Sequence, residues 1–432
     1  MERYNFVIGF IHDVRFYDND NGISECDSLV PYVGAKQALI KLLFLKTLST
    51  PNAIKTKNND AIIALWNLSQ MISCPNDGYD AEILKKALSV VENEYGIHQG
   101  ILDVSLFQNI MQDNWYIVNE FFGRCSREVH SADDYALSIA DMIARPQDNR
   151  DSASTYKYYT NESLQRLASG ILNVQKTETF MDCCCGMFSS ALYNDAADYI
   201  GIEQDKEMAG IAAMIMIMCK KKVDLKIENF VESKYENVAD KIFTDVSYGV
   251  EMPKMENRPY GKNGEAYCIE NTVKALKDGG TAVVVCSGSV LVKQDSSKKM
   301  REAITRDHLK AVIALPPMSN GTKSNTNLIV LEKNCHAEEI KFINASNLEI
   351  ENQKRMTLNE SDISDVIKCI DSEKSNCLSK NIKVEDILNS SAISWTPNYY
   401  VDGGKNVEVR PVEVIDKELK ASYKELKKLM SE

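Results

Sequence analysis

Apolar residues recur at three- and four-residue spacing through the first third of the chain, in AKQALIKLLFLKTLS (35–49), DAIIALWNLSQMI and AEILKKALSVVENEY. That is the period of a helix with one buried face. Glycine is sparse there and strand-like alternation is absent, so residues 1–150 read as a helical amino-terminal domain. A polar stretch, RPQDNRDSAS (145–154), then marks a boundary.

From about residue 155 the rhythm changes. TFMDCCC, DYIGIEQ, VDLKIEN, DKIFTDV, TAVVVCSG, LKAVIALP and TNLIVLEKN are short apolar runs, and helical stretches such as KEMAGIAAMIMIMCKK and AYCIENTVKALKDGG lie between several of them. Such alternation predicts an α/β fold: a mostly parallel, doubly wound sheet with helices on both faces and ligands beyond the carboxyl ends of the strands. This core is placed at 151–334, with 335–402 as its carboxyl-terminal continuation. The methionines of the MAGIAAMIMIM segment read as core fillers. The tail, 403–432, carries Leu419, Tyr423, Leu426 and Met430 on one stripe, the pattern of a surface or partner-binding helix.

Composition narrows the function classes. No stretch approaches the roughly 20 apolar residues of a membrane helix, and the start, MERYNFVIGFIHD, lacks the features of a signal peptide. A cytoplasmic protein with no membrane contact is expected. The 12 cysteines include no CxxC pair, so neither a zinc site nor a disulfide framework is expected. A net charge of −12 argues against a protein that coats nucleic acid by charge alone. Any DNA must then be attracted by a local basic surface or by a partner.

The candidate chemistry lies just after the apolar runs. Asp182 and Gly186 stand in the turn that follows the first run, where backbone N–H groups can approach a nucleoside. Glu203 ends the second run, where a carboxylate can accept the two hydroxyls of a ribose. The fourth run ends in Thr244-Asp245-Val246-Ser247-Tyr248-Gly249, a polar group and an aromatic on one loop. Taken alone, Asp245 also reads as a turn cap and Tyr248 as a core aromatic.

With these residues in hand, the chain resembles the N-6 adenine DNA methylases, above all the modification (M) subunits of Type I restriction-modification systems. Those subunits carry Asn-Pro-Pro-Phe-Gly at the Asp245 loop, and other adenine-N6 methyltransferases carry Asp-Pro-Pro-Tyr. The resemblance runs in order over residues 35–402, through TYKYYTNESLQRLASGIL, LKDGGTAVVVCSGSVLV, LKAVIALPPMSNGTKSNTNLIVLEKN, IKFINAS and SWTPNYYVD. It implies a Rossmann-like methyltransferase core with S-adenosyl-L-methionine as cofactor. Tyr159, Thr160, Asp182, Gly186, Glu203 and Asn229 would bind that cofactor. Asp245 and the Val246 carbonyl would accept the amine hydrogens of an extruded adenine, and Tyr248 would stack on the base. The implied partners are duplex DNA, a specificity-type subunit and, in some assemblies, a restriction subunit, all in host DNA modification and phage defence.

Five positions depart from the family. Phe188 stands where the cofactor turn has its second glycine, so the ring is expected to narrow or fill the pocket. Val246 and Ser247 replace both prolines, Asn161 replaces the proline after Thr160, and Asn229 replaces an Asp. These changes keep two readings open: an active adenine-N6 methyltransferase, or a pseudo-methyltransferase acting as a structural or DNA-sensing subunit.

Overall fold

The computed structural model describes residues 81–103, 160–246, 260, 263–295, 297–318, 324–352, 356–372 and 375–402, with 40–41, 44–45, 47–48, 58–64 and 68 nearer the amino terminus. The 145–154 boundary, Tyr159, Ser247, Tyr248 and the tail from 403 lie outside the described residues. Positions 40–48 and 59–68 are helical wherever described, and α1 spans Ala81–Tyr95.

Each of the seven apolar runs forms a strand. Helix α2 (Glu162–Leu172) leads into β1 (Thr179–Asp182) and β2 (Asp198–Glu203), then α3 (Lys206–Met218), β3 (Val223–Ile227) and β4 (Ala239–Asp245). Next come α4 (Gly264–Ala275), β5 (Leu276–Cys286), α5 (Gly288–Val292), α6 (Ser297–Asp307), β6 (Leu309–Leu315) and β7 (Thr326–Glu332). The chain continues through β8 (Glu339–Asn344), α7 (Glu360–Asp371), β9 (Ser379–Lys383) and α8 (Val384–Asn389). The strands make one nine-stranded sheet in the order β3-β2-β1-β4-β5-β7-β6-β8-β9. β7 runs antiparallel to both its neighbours and β9 antiparallel to β8, while the other pairs are parallel. The expected doubly wound α/β fold is therefore present, with its order reversing between β1 and β4.

Period-two alternation along the strands builds one core on each face. Phe180, Phe243, Val283, Val285 and Ile313 meet α2 and α7 on one face, whereas Met181, Ile242, Ala282, Val284 and Val312 meet α4 and α6 on the other. The sequence reading misplaced two features. LKDGG continues the helical pattern in sequence, but α4 stops at Ala275 and Leu276 already begins β5, which has a left-handed residue at Gly279 (φ 72°) opposite a register shift in β4. β9 was not foreseen, because SKNIK is an edge strand of mixed polarity in which Ile382 is the buried apolar residue.

Helix α3 is capped by Asp205, whose carboxylate accepts the N–H groups of Glu207 (2.8 Å) and Met208 (3.0 Å). Met208, Met214, Met216 and Met218 are all buried, so the methionines fill core as expected. A helix apolar on so many sides needs cover on its outer surface as well. That cover includes the amino-terminal segment: a Cβ on Gly210 would lie 2.7 Å from Ile101, and Lys41 pairs with Glu207 at 2.8 Å. The loop carrying Ile101 is held by Glu92 of α1, 2% exposed, which accepts the N–H groups of Gly100 (3.1 Å) and Leu102 (2.6 Å). Glu92→Ala leaves both donors without their acceptor, at a cost of about 1–3 kcal/mol. The expected result is a lower Tm with faster amide exchange at Gly100 and Leu102, and protection equal to wild type would show that the loop does not depend on Glu92.

Candidate active site

Strand register brings the predicted acidic residues together. Asp182 is paired with Gly201 of β2 and with Phe243 of β4, so β2 and β4 each run two residues beyond the end of β1. Glu203 and Asp245 occupy those extra positions. Side chains repeat every second residue. Asp182, Glu203 and Asp245 therefore lie on the sheet face that carries Phe180, Gly201 and Phe243, the face covered by α2. This is the carboxyl edge of the sheet at the β1/β4 reversal, where α/β proteins bind ligands.

Each acid is held by donors. Asp182, 3% exposed, accepts the Ser190 hydroxyl at 2.5 Å and the Cys184 N–H at 3.1 Å. Burial nevertheless pushes its carboxyl up to about 7, with the neighbouring Asp245 and Glu203 charges adding to the rise. Glu203 accepts the Gly186 N–H at 2.9 Å and the Asp205 N–H at 2.8 Å, one on each oxygen, and burial raises it as well. Asp245 accepts the Thr160 hydroxyl on Oδ2 at 2.6 Å, and burial raises it to about 6 against the lowering effect of that bond. Thr160, expected from the resemblance among the cofactor residues, is thus bonded directly to the predicted amine acceptor.

The turn after β1 settles where the Phe188 ring lies. Phe188 holds the left-handed backbone (φ 57°) of a glycine position, and Gly186 is left-handed too (φ 52°). The Phe188 ring, however, leaves the turn for the core. It is fully buried, lies 6.3 Å from Phe180 and 6.4 Å from Tyr199 between ring centroids, and occupies the space above Gly201, where an added Cβ would come within 3.0 Å of it. Gly201 opens this place for the ring beneath the turn. The strained backbone costs about 1–2 kcal/mol, which burial of an aromatic ring offsets.

Val246, Asn161 and Asn229 also find local partners. Val246 is buried in the core on the α4 face, so packing anchors the start of the loop where prolines would otherwise stiffen it. Asn161 keeps a proline-like φ of −54° and caps α2, accepting the Ser163 N–H at 2.8 Å. Its Nδ2 also donates to the carbonyls of Met318 and Met356, each at 3.1 Å, which ties the start of α2 to the segments after β6 and before α7. Asn229 lies two residues past β3 and caps a short 3-10 turn, its side-chain oxygen accepting the Val231 N–H at 3.1 Å. Two groups escaped the sequence reading: Ser190, which holds Asp182, and Gln165, which donates to the Thr160 carbonyl (2.8 Å) and the Ser189 hydroxyl (2.7 Å). A serine pair after the turn and one polar residue on an apolar helix face were the available signals. Cys183 and Cys185 are buried with thiols raised by burial, which marks them as packing groups.

Two outcomes follow. Phe188→Gly relieves the left-handed strain but empties a core site whose loss costs about 3–5 kcal/mol, so a lower Tm is expected by calorimetry; an unchanged or higher Tm would contradict the core assignment. The second concerns pH. Asp182 and Asp245 titrate at about 7 and about 6 in the folded chain, above their ordinary 3.8. Between about pH 4 and pH 7 the folded state therefore keeps protons that the unfolded state releases, and these two groups make stability fall as pH rises through that window. Asp182→Asn should flatten the fall in Tm between pH 5 and pH 8, and an identical slope would remove Asp182 as its source.

The sequence pattern of the N-6 DNA methylase family matches residues 143–408. The methylase subunit of a Type I restriction enzyme from Mycoplasma pneumoniae is 25% identical over 161 residues, a stretch spanning 37% of this chain and 30% of that protein. The type I restriction-modification methyltransferase subunit of Streptococcus thermophilus shares the fold with a TM-score of 0.63 at 17% identity, covering 93% of this chain and 99% of that one. A chain solved for complex assembly and conformational transition of the type I R-M system gives 0.60 at 15% identity, covering 94% of each. With the family pattern spanning more than half of its length, this chain belongs to the N-6 DNA methylase family.

Proposed function

We propose that the chain is a modification-type subunit that transfers a methyl group to the N6 amine of adenine in duplex DNA, with a specificity-type subunit selecting the site. The observation that carries this reading is the convergence of Asp182, Glu203 and Asp245 at the β1/β4 reversal, with Asp245 held by Thr160. A restriction subunit is a further partner in this reading, the domain limits are those of the sequence analysis, and the setting is the cytoplasm.

The residues present fit S-adenosyl-L-methionine. Gly186 and Phe188 keep the left-handed turn that lets backbone approach a ligand, and the Phe188 ring stays in the core. Glu203 would accept the ribose hydroxyls, since each oxygen bonded to a backbone N–H retains a second lone pair. Asn229 would present its amide nitrogen, Asp182 would fix the turn through Ser190, and Tyr159 would complete the cofactor segment. When bound, the cofactor supplies an electrophilic methyl group.

The chain's own task is to make the amine a nucleophile. The adenine N6 lone pair is delocalised into the ring, and accepting the amine hydrogens opposes that delocalisation. Asp245 does this through the carboxylate that Thr160 orients, and the Val246 carbonyl is the second acceptor. Tyr248 stacks on the extruded base. Because burial raises Asp245 to about 6, it is the stronger, ionised acceptor above that pH and a weaker, protonated one in acid.

The test is tritium transfer from labelled cofactor into duplex DNA by the purified assembly with its specificity subunit. Asp245→Ala should lower transfer by about 10²-fold or more while leaving cofactor affinity, measured by calorimetry, nearly unchanged. Transfer that survives the substitution refutes the assigned mechanism. No transfer by the unaltered assembly, with cofactor binding and target DNA verified, would instead favour a structural or DNA-sensing subunit.

A further inference from the structure

Helix α2 turns Leu164, Leu167, Ala168 and Leu172 into the core, and among them stands a polar side chain, Gln165, only 3% exposed. Its Nε2 serves two acceptors, the Thr160 carbonyl and the Ser189 hydroxyl oxygen, while its Oε1 is buried with no hydrogen-bond partner. Exchanging the amide nitrogen and oxygen does not cure this, because the oxygen would then face the Thr160 carbonyl. An orphaned buried acceptor costs about 1–3 kcal/mol, on a helix face where an apolar side chain of the same length would carry no such cost. Local rules broken without benefit to the fold are expected at functional sites.

What the amide joins explains its place. Thr160 donates its hydroxyl to Asp245, and Ser189 adjoins Ser190, which donates to Asp182. One side chain therefore links the segment that orients the Asp245 carboxylate to the turn that follows β1. We propose that Gln165 is a positioning residue: it fixes the Thr160 backbone so that the hydroxyl occupies Oδ2 of Asp245, and it couples that arrangement to the cofactor turn through Ser189. This rests on the reading of Asp245 as the amine acceptor. A Thr160 held only by its own peptide bonds would let the carboxylate rotate, and Oδ2 would lose the donor that favours its ionised form. The other charged groups facing this site are Asp182 from β1 and Glu203 from β2, both acidic, so no cation among the described residues replaces the lost donor.

The experiment follows the titration of Asp245 in the ligand-free chain by carboxyl ¹³C NMR, with its signal assigned by its loss in Asp245→Asn. Gln165→Met keeps the length of the side chain and removes its polar atoms; Gln165→Leu is the second variant if the first folds poorly. The expected result is a Tm close to wild type and an Asp245 titration moved upward by about half a unit or more. Thr160→Val should move it in the same direction, and combining it with Gln165→Met should add little, since both act through one bond. In the methyl-transfer assay the acidic limb of the rate profile should move with the titration. A titration that shifts in Thr160→Val but not in either Gln165 variant would overturn the proposal and leave Gln165 a packing residue. If the titration shifts while the unaltered assembly transfers no methyl group, the positioning role stands and the catalytic reading of Asp245 fails.

Discussion

The site depends on the parallel register of three strands. Because β1 ends two residues before β2 and β4, three carboxylates gather on one face of the sheet edge. Gathering them is electrostatically unfavourable: each is partly desolvated, and Asp182 feels the charges of both others. The fold offsets this with fixed donors, the N–H groups of Cys184, Gly186 and Asp205 and the hydroxyls of Ser190 and Thr160. Donors that are already oriented before a ligand arrives require little reorganisation when charge develops in the site.

Much of this was legible in the sequence, for identifiable reasons. Short runs rich in Val, Ile, Leu and Phe stand out from the polar sequence between them, so β1 to β7 and the carboxyl ends bearing Asp182, Glu203 and Asp245 could be placed by counting. Strand β9 could not, because SKNIK carries one apolar residue, Ile382, whereas the other edge strand, β3, keeps Val223, Leu225 and Ile227 in alternation. The direction of the Phe188 ring was illegible for a different reason. Whether a side chain at a glycine position fills the ligand side or the core depends on the space beneath it, and that space comes from Gly201, thirteen residues away and on another strand. Tertiary holes of this kind leave no periodic signal. The Thr160 bond to Asp245 spans 85 residues and was equally hidden.

Phe188 and Val246 show one physical exchange made twice. A glycine permits a left-handed backbone at no steric cost, and a proline fixes φ through its ring. Here side-chain burial takes over both tasks: the ring of Phe188 on the α2 face and the branched side chain of Val246 on the α4 face each pin their backbone by packing. Conformational preference encoded in the residue is replaced by preference imposed by the core. The backbone at Phe188 and at Val246 thereby becomes dependent on core stability. Asn161 makes a related exchange, keeping a proline-like φ while adding a cap and two bonds to the Met318 and Met356 carbonyls.

Charge sets the final constraint. The chain carries a net charge of −12, and the site edge adds carboxylates on β1, β2 and β4. Duplex DNA presents a dense line of phosphates, and non-specific affinity comes from neutralising them with cations. A site of this sign repels the backbone of its own proposed substrate while favouring a neutral base, whose amine donates to Asp245. Base extrusion suits that arrangement: the base crosses the gap between duplex and sheet edge, and the phosphates stay with whatever basic surface holds the duplex. In the proposed division of labour the acidic site supplies acceptors, and the attraction for DNA is left to a local basic surface or to a partner subunit.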